Sequence, residues 1–185
     1  MKLGDVRSSA RHLEKALQIY PDCLEARNNL GARYIELEEY WEAPAEFQKA
    51  IAIDPRVMQP FSNLSVAFFL QQRYADAEAA ARSALNVDRQ HSTARYMLGA
   101  ILATEKCNPD ETMQLLRQTE LEFPDARLLL AQIMLRRGAV EEAEQELHDY
   151  LALPDAPKRQ RVERWLARLT QTSATKAPTQ PNTPK

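Results

Sequence analysis

The side chains best able to do chemistry in this sequence are few and scattered. His12, His91 and His148 lie far apart, and none has a second histidine, a cysteine or a carboxylate at metal-ligand spacing such as HExxH. Ser8-Ser9 and Ser65 have no histidine base nearby, and neither a GxSxG elbow nor a glycine-rich phosphate loop occurs. The acidic pairs Glu38-Glu39 and Glu141-Glu142 suggest acid–base work at first sight. They stand beside or at the start of apolar helical series, where a carboxylate favours the helix dipole, and that structural role explains them. Cys23 and Cys107 are expected as free thiols, because a helical array seldom needs a staple. Asn63-Leu64-Ser65 spells a glycosylation sequon, but Leu64 and Ser65 belong to a packed helical face. Trp41 and Trp165 are too distant in sequence to form a base-stacking platform. No catalytic residue, metal site or cofactor is expected.

The elements that could position anything are helices. Alanine, leucine, glutamate and arginine recur throughout the 185 residues, hydrophobic residues make up 44%, and there are only 4 glycines. The formal net charge of -2 supplies no general field for nucleic acid or an anionic membrane. No apolar run reaches the length of about 18 residues that a membrane span requires. The N-terminus shows no basic-then-apolar leader, so cytoplasmic residence is the default expectation, with upstream sequence left open.

The strongest signal is a period. Leu30-Gly31, Leu64-Ser65 and Leu98-Gly99 recur 34 residues apart (64−30, 98−64), with Tyr34, Phe68 and Leu102 at the same spacing. Tyr40 and Tyr74, Ala43 and Ala77, and Ala50 and Ala84 repeat in step. One period back from Tyr40, Ala43, Phe47, Ala50, Ile53 and Pro55 stand Val6, Ser9, Leu13, Ala16, Ile19 and Pro21. The step to Leu130-Ala131 is shorter, which predicts a shortened loop near Cys107–Pro109. Each unit reads as two helices. Ala26, Leu30 and Tyr34 mark the first, and Ala43, Phe47, Ala50 and Ile51 mark the second. Pro44 suits the first turn of that second helix, and Asp54-Pro55 ends it. Gly31, Ser65, Gly99 and Ala131 are small where paired helices must approach closely.

The segments LEARNNLGARY…EYWEAPAEFQKAIAIDP and GDVRSSARHLEKALQIYP resemble tetratricopeptide repeats, over about residues 4–153. The resemblance implies an all-α fold: a solenoid of antiparallel helix pairs wound as a right-handed superhelix around a concave groove. It divides the chain into the second helix of an incomplete repeat (1–21), repeats at 24–57 and 58–91, a degenerate repeat at 92–123 and a repeat-like unit at 124–156. A capping helix (157–171) and a disordered tail (172–185) follow. The third unit has Glu111-Thr112, and the fourth Tyr150, where the family places alanine. In the capping helix Val162, Trp165, Leu166 and Leu169 form the apolar stripe. Arg161, Arg164 and Arg168 lie beside it, as a solvated face or as a seat for an acidic partner. At the other end, the stripe of Val6, Leu13, Ala16 and Ile19 lacks a first-helix partner. Missing upstream sequence, or weak association through residues 5–19, would account for it.

In the family, the first helix of each pair lines the groove. The resemblance places there Asn28, Asn29, Ala32 and Ile35, then Ser62, Asn63, Val66, Phe69 and Leu70, then Tyr96, Met97 and Ala100, then Leu128, Leu129, Gln132 and Leu135. The residues themselves add one observation: segment 58–71 is apolar on two faces, through Phe61, Leu64 and Phe68 and through Val66, Phe69 and Leu70. Such a helix is either sandwiched or presents a face to a partner. Asn29 and Asn63 resemble part of the asparagine ladder of O-linked N-acetylglucosamine transferase, which Met97 and Leu129 interrupt. The lysine- and arginine-rich clamp of chaperone-binding members has no counterpart at these positions. The expected function is a non-catalytic scaffold that holds a peptide or protein surface. The repeat region of a larger enzyme or secretion machine, and a self-assembling structural module, are the alternatives.

Overall fold

The computed structural model of the chain describes residues 3–105 and 108–175. Among the described residues there are ten helices and no strand: α1 (Leu3–Ile19), α2 (Leu24–Glu36), α3 (Ala43–Ile53), α4 (Met58–Leu70), α5 (Tyr74–Val87), α6 (Ser92–Glu105), α7 (Pro109–Arg117), α8 (Asp125–Arg136), α9 (Val140–Leu151) and α10 (Arg159–Thr175). The fold is all-α. Two compact units divide it, Met1–Glu122 with α1 to α7 and Phe123–Lys185 with α8 to α10.

Local sequence explains the punctuation. After α2 the chain turns through Glu38 at φ 62°, and the amides of Glu38 and Glu39 donate to the carbonyls of Ile35 and Tyr34. This is the Schellman arrangement, which satisfies carbonyls that a helix end leaves open. The same turn recurs after α4 at Gln72 (φ 60°) and after α8 at Gly138 (φ 79°). Only the last uses glycine, the residue that enters the left-handed region without strain. Pro44 and Pro109 sit in the first turns of α3 and α7, where the missing N–H costs nothing. Asp54 closes α3 in extended geometry, and its carboxylate accepts from the Arg56 amide and guanidinium.

Within the first unit the pairs pack through small residues. A Cβ added at Gly31 would meet the Phe47 ring at 2.6 Å, and one at Gly99 would meet Leu116 at 2.8 Å. Ser65 takes the corresponding place on α4 fully buried, its hydroxyl donating to the Ser62 carbonyl. Sixteen residues on from each, the second helices carry Phe47 but Ala81 (47−31, 81−65), so the larger first-helix residue faces the smaller register position. Ala43, Phe47, Leu64, Phe68, Ala77, Leu98 and Ile101 join in one core.

In the second unit Ala131 is the small residue, fully buried on α8. Tyr150, where the repeat would place alanine, is fully buried on α9, and its hydroxyl accepts from the Lys158 amide at the entry to α10. The large side chain thus fixes where the capping helix begins. That helix starts at Arg159 and continues to Thr175, past the expected end at 171, because residues 172–175 have no helix breaker. The expected tail from 176 onward lies outside the described residues, as does part of the connection around Cys107. What is shortened in this repeat is its second helix: α7 has 9 residues where α5 has 14.

Candidate functional site

The residues that the sequence assigns to a groove in the first unit lie on α2, α4 and α6, and their exposure falls from one helix to the next. Asn29 is exposed, Asn63 half-buried and Met97 buried. Ile35 and Phe69 are half-buried while Ala103, at the next equivalent position, is buried. Residues 97–103 of α6 are buried without interruption. The helix buried all round is therefore α6, whereas α4 keeps Val66 and Phe69 half-buried and Leu70 39% exposed. Ser62, expected in the groove, is also buried, and its hydroxyl has no hydrogen-bond partner among the described residues. Tyr96 remains half-buried.

One contact between α2 and α4 was not legible from spacing. Asn63 Nδ2 donates to Asn28 Oδ1 at 2.9 Å. The equivalence 34 residues apart links Asn63 to Asn29, but the helices bring it to Asn28. This bond uses one of the two N–H groups of Asn63 and one lone pair of Asn28. The Asn63 Oδ1 acceptor and the Asn28 NH₂ donors have no other partner among the described residues. Two carboxamides held at a fixed orientation on a part-buried surface can read a peptide backbone. Further along α4, Phe69 packs on Tyr74 with ring centroids 5.6 Å apart, and Leu70 next to it keeps part of its surface open. On the far side of α2, the Tyr34 hydroxyl donates to Glu14 of α1 at 3.1 Å. Burial, then this hydrogen bond, push the Tyr34 pKa up to about 12.

In the second unit Leu128, Leu129, Gln132 and Leu135 are half-buried on α8. Gln132 opens onto a cavity of about 340 Å³ whose other lining residues are Arg161, Arg164, Trp165 and Arg168 of α10. The sequence showed those arginines as a stripe, and only the folded unit brings Gln132 to them. Elsewhere, Ile19 at the C-terminal end of α1 and Tyr20 just after it are each 70% exposed, while Val6 and Ala10 are buried. Ala16 is exposed and Leu13 half-buried, so the apolar stripe of α1 is covered only in its first half. Among the described residues no group of three His, Cys, Asp or Glu side chains could hold a metal ion, and no helix is long and apolar enough to cross a membrane.

The helix pairs and their small-residue contacts bear directly on family. The tetratricopeptide repeat model matches residues 1–57 and 63–109. The chain belongs to the tetratricopeptide repeat family. No curated protein sequence matches it. Solved structures agree on the fold. PilF of Pseudomonas aeruginosa superposes with a TM-score of 0.73 at 20% identity, over 93% of this chain and 80% of that one. A thermophilic tetratricopeptide protein of Thermus thermophilus gives 0.69 at 21% identity, over 91% and 92% of the two chains. YrrB, described as having an unusual peptide-binding site, gives 0.69 at 19% identity, over 89% and 84%. Tetratricopeptide solenoids present extended faces to other polypeptides, and at the coarse level this chain is such an interaction scaffold.

Proposed function

We propose that the chain is a non-catalytic adaptor that holds an extended polypeptide segment across α2 and α4. Asn28, Asn29 and Asn63 contact the backbone of the segment, and Ile35, Val66, Phe69 and Leu70 take its large apolar side chains. The observation that carries this reading is the Asn63–Asn28 bond, which pre-orients two carboxamides beside an apolar strip that the core leaves partly open. YrrB, of the same fold, is a peptide-binding protein by its description, which supports the class of ligand. Ser62 and Met97 are left out of the surface because they are buried. Tyr96, Leu129 and Gln132 lie beyond this core of the site.

The segment is expected to bind at micromolar strength, about -8 kcal/mol, because its own ordering opposes the contacts. A peptide array with paired large apolar residues supplies the probe. Leu70→Ser and Phe69→Ala should each weaken the selected peptide by about tenfold, as losing an anchor side chain does. Leu70 is 39% exposed, so Leu70→Ser should lower the melting temperature less than Phe69→Ala does. Unaltered affinity in both variants, with stability lost, would show that these side chains serve the core alone.

A further inference from the structure

Cations of the second unit differ in how far they are already paired. Arg127 is committed to Glu146 at 3.1 Å and to Asp149 at 3.4 Å, and Lys158 pairs with Asp125. Arg161 and Arg164 have no carboxylate partner among the described residues. The Arg164 side chain donates only to the Gln160 carbonyl of its own helix. Both are exposed, and both line the 340 Å³ cavity with Arg168, Trp165 and Gln132. Positions 161, 164 and 168 fall on one face of α10, with Trp165 between them. Across the cavity Gln132 stands on α8 with Leu128 one turn before it and Leu135 about one turn after, both half-buried.

We propose that this cavity receives an acidic segment of a partner polypeptide carrying a large apolar side chain among its carboxylates. The Arg161 and Arg164 guanidinium groups take the carboxylates in planar, two-point hydrogen bonds. Trp165 and the Leu128–Leu135 strip take the apolar side chain, and Gln132 can pair with the backbone of the segment. This rests on the reading of the chain as a polypeptide-binding scaffold and adds a second place and a partner chemistry to it. Charge complementarity selects the occupant. Residues 172–185 of the chain itself contain Lys176 and Lys185 and no acidic side chain. Nucleic acid fits poorly: the three arginines span only about 10 Å along the helix axis, room for one or two phosphates, where duplex binders neutralise several.

Trp41 and Trp165 are the only tryptophans, and Trp41 is 71% exposed, so Trp41→Phe leaves Trp165 as the sole reporter in a full-length chain. The probe is the acetylated peptide Glu-Asp-Leu-Phe-Glu-Asp, with Gln-Asn-Leu-Phe-Gln-Asn as its uncharged counterpart. The acidic peptide should shift Trp165 emission saturably and bind about tenfold or more tighter than the amide version, an advantage that 0.5 M salt (roughly fivefold the ionic strength at which the screening length is about 10 Å) removes. Arg161→Glu with Arg164→Glu should abolish binding without changing the melting temperature, and Arg161→Gln with Arg164→Gln should weaken it by about tenfold. Equal binding of the two peptides, or tighter binding of oligo-dT than of the acidic peptide, would overturn the proposal. So would acidic-peptide binding that survives both arginine variants but is lost in Phe69→Ala, which would place the ligand on α2 and α4. Binding lost in the arginine variants and kept in Phe69→Ala would support the cavity as a site separate from the α2–α4 surface.

Discussion

Arg27 of α2 reaches Glu46 of α3 at 2.9 Å, with both side chains largely buried. One period later, Phe61 of α4 and Ala80 of α5 occupy the same positions. The first pair also sets Gly31 against Phe47, where the second carries Ser65 and Ala81. Tyr34 bonds to Glu14, whereas Phe68 stacks under the Arg73 guanidinium at 4.3 Å. Two adjacent helix pairs thus share a backbone plan and hold it with different chemistry. In the second unit Arg127 and Glu146 repeat the ion pair at the same separation in sequence, so it is a recurring solution. The contrast teaches that the repeat demands complementary volume between its two helices, and that either a paired charge or a hydrocarbon can supply it. A buried ion pair repays its desolvation only when both partners are present, and an apolar pair avoids that cost.

The sharpest way to break the comparison is to leave one charge alone. Arg27→Met strands Glu46 beside Lys49 only, and should cost about 3 kcal/mol in urea unfolding. Arg27→Phe with Glu46→Ala transplants the α4/α5 solution and should recover most of that loss. A double variant no more stable than the single one would mean that the two pairs do not share a geometry.

Crowding gives the next largest effect. Gly31→Ala drives a methyl group into the Phe47 ring and should destabilise by about 1–3 kcal/mol. Phe47→Leu in the same chain should relieve it. Ser65→Ala, on the roomier α4, should cost about 1 kcal/mol or less, since it removes one hydrogen bond within a helix. Equal losses at the two positions would erase the difference between the pairs.

A smaller effect separates the pairs by pH. The Tyr34 hydroxyl ionises more readily in the unfolded chain, near the ordinary tyrosine value of 10.0, than in the fold, where its pKa is about 12. The favourable contribution is therefore complete below pH 10 and is lost as pH rises toward 12. Stability measured across that window should fall less steeply in Tyr34→Phe, which gives α2 the side-chain type that α4 already has. The smallest change expected is at Ser62, whose buried hydroxyl has no partner among the described residues: Ser62→Ala should leave stability unchanged or raise it by up to about 1 kcal/mol.

The sequence by itself determined the repeat, the helices and the places of closest approach. Those follow from local rules: apolar spacing at 3.6 residues, prolines in first turns, and a small residue wherever Leu-Gly or its equivalent recurs. Such signals survive in one dimension because they act within a turn or two of helix. It also exposed the arginine stripe of α10 and the incomplete apolar cover of α1. What only the tertiary structure decided was which equivalent residues remain reachable. Asn29, Asn63 and Met97 are one position in the repeat, yet they run from exposed to buried, because burial depends on what packs over a helix and not on its own period. The pairing of Asn63 with Asn28, and the meeting of Gln132 with Arg161, Arg164 and Trp165, have the same origin. Each depends on how separate helices lie across from one another, and that geometry is set by the summed volumes of the side chains between them.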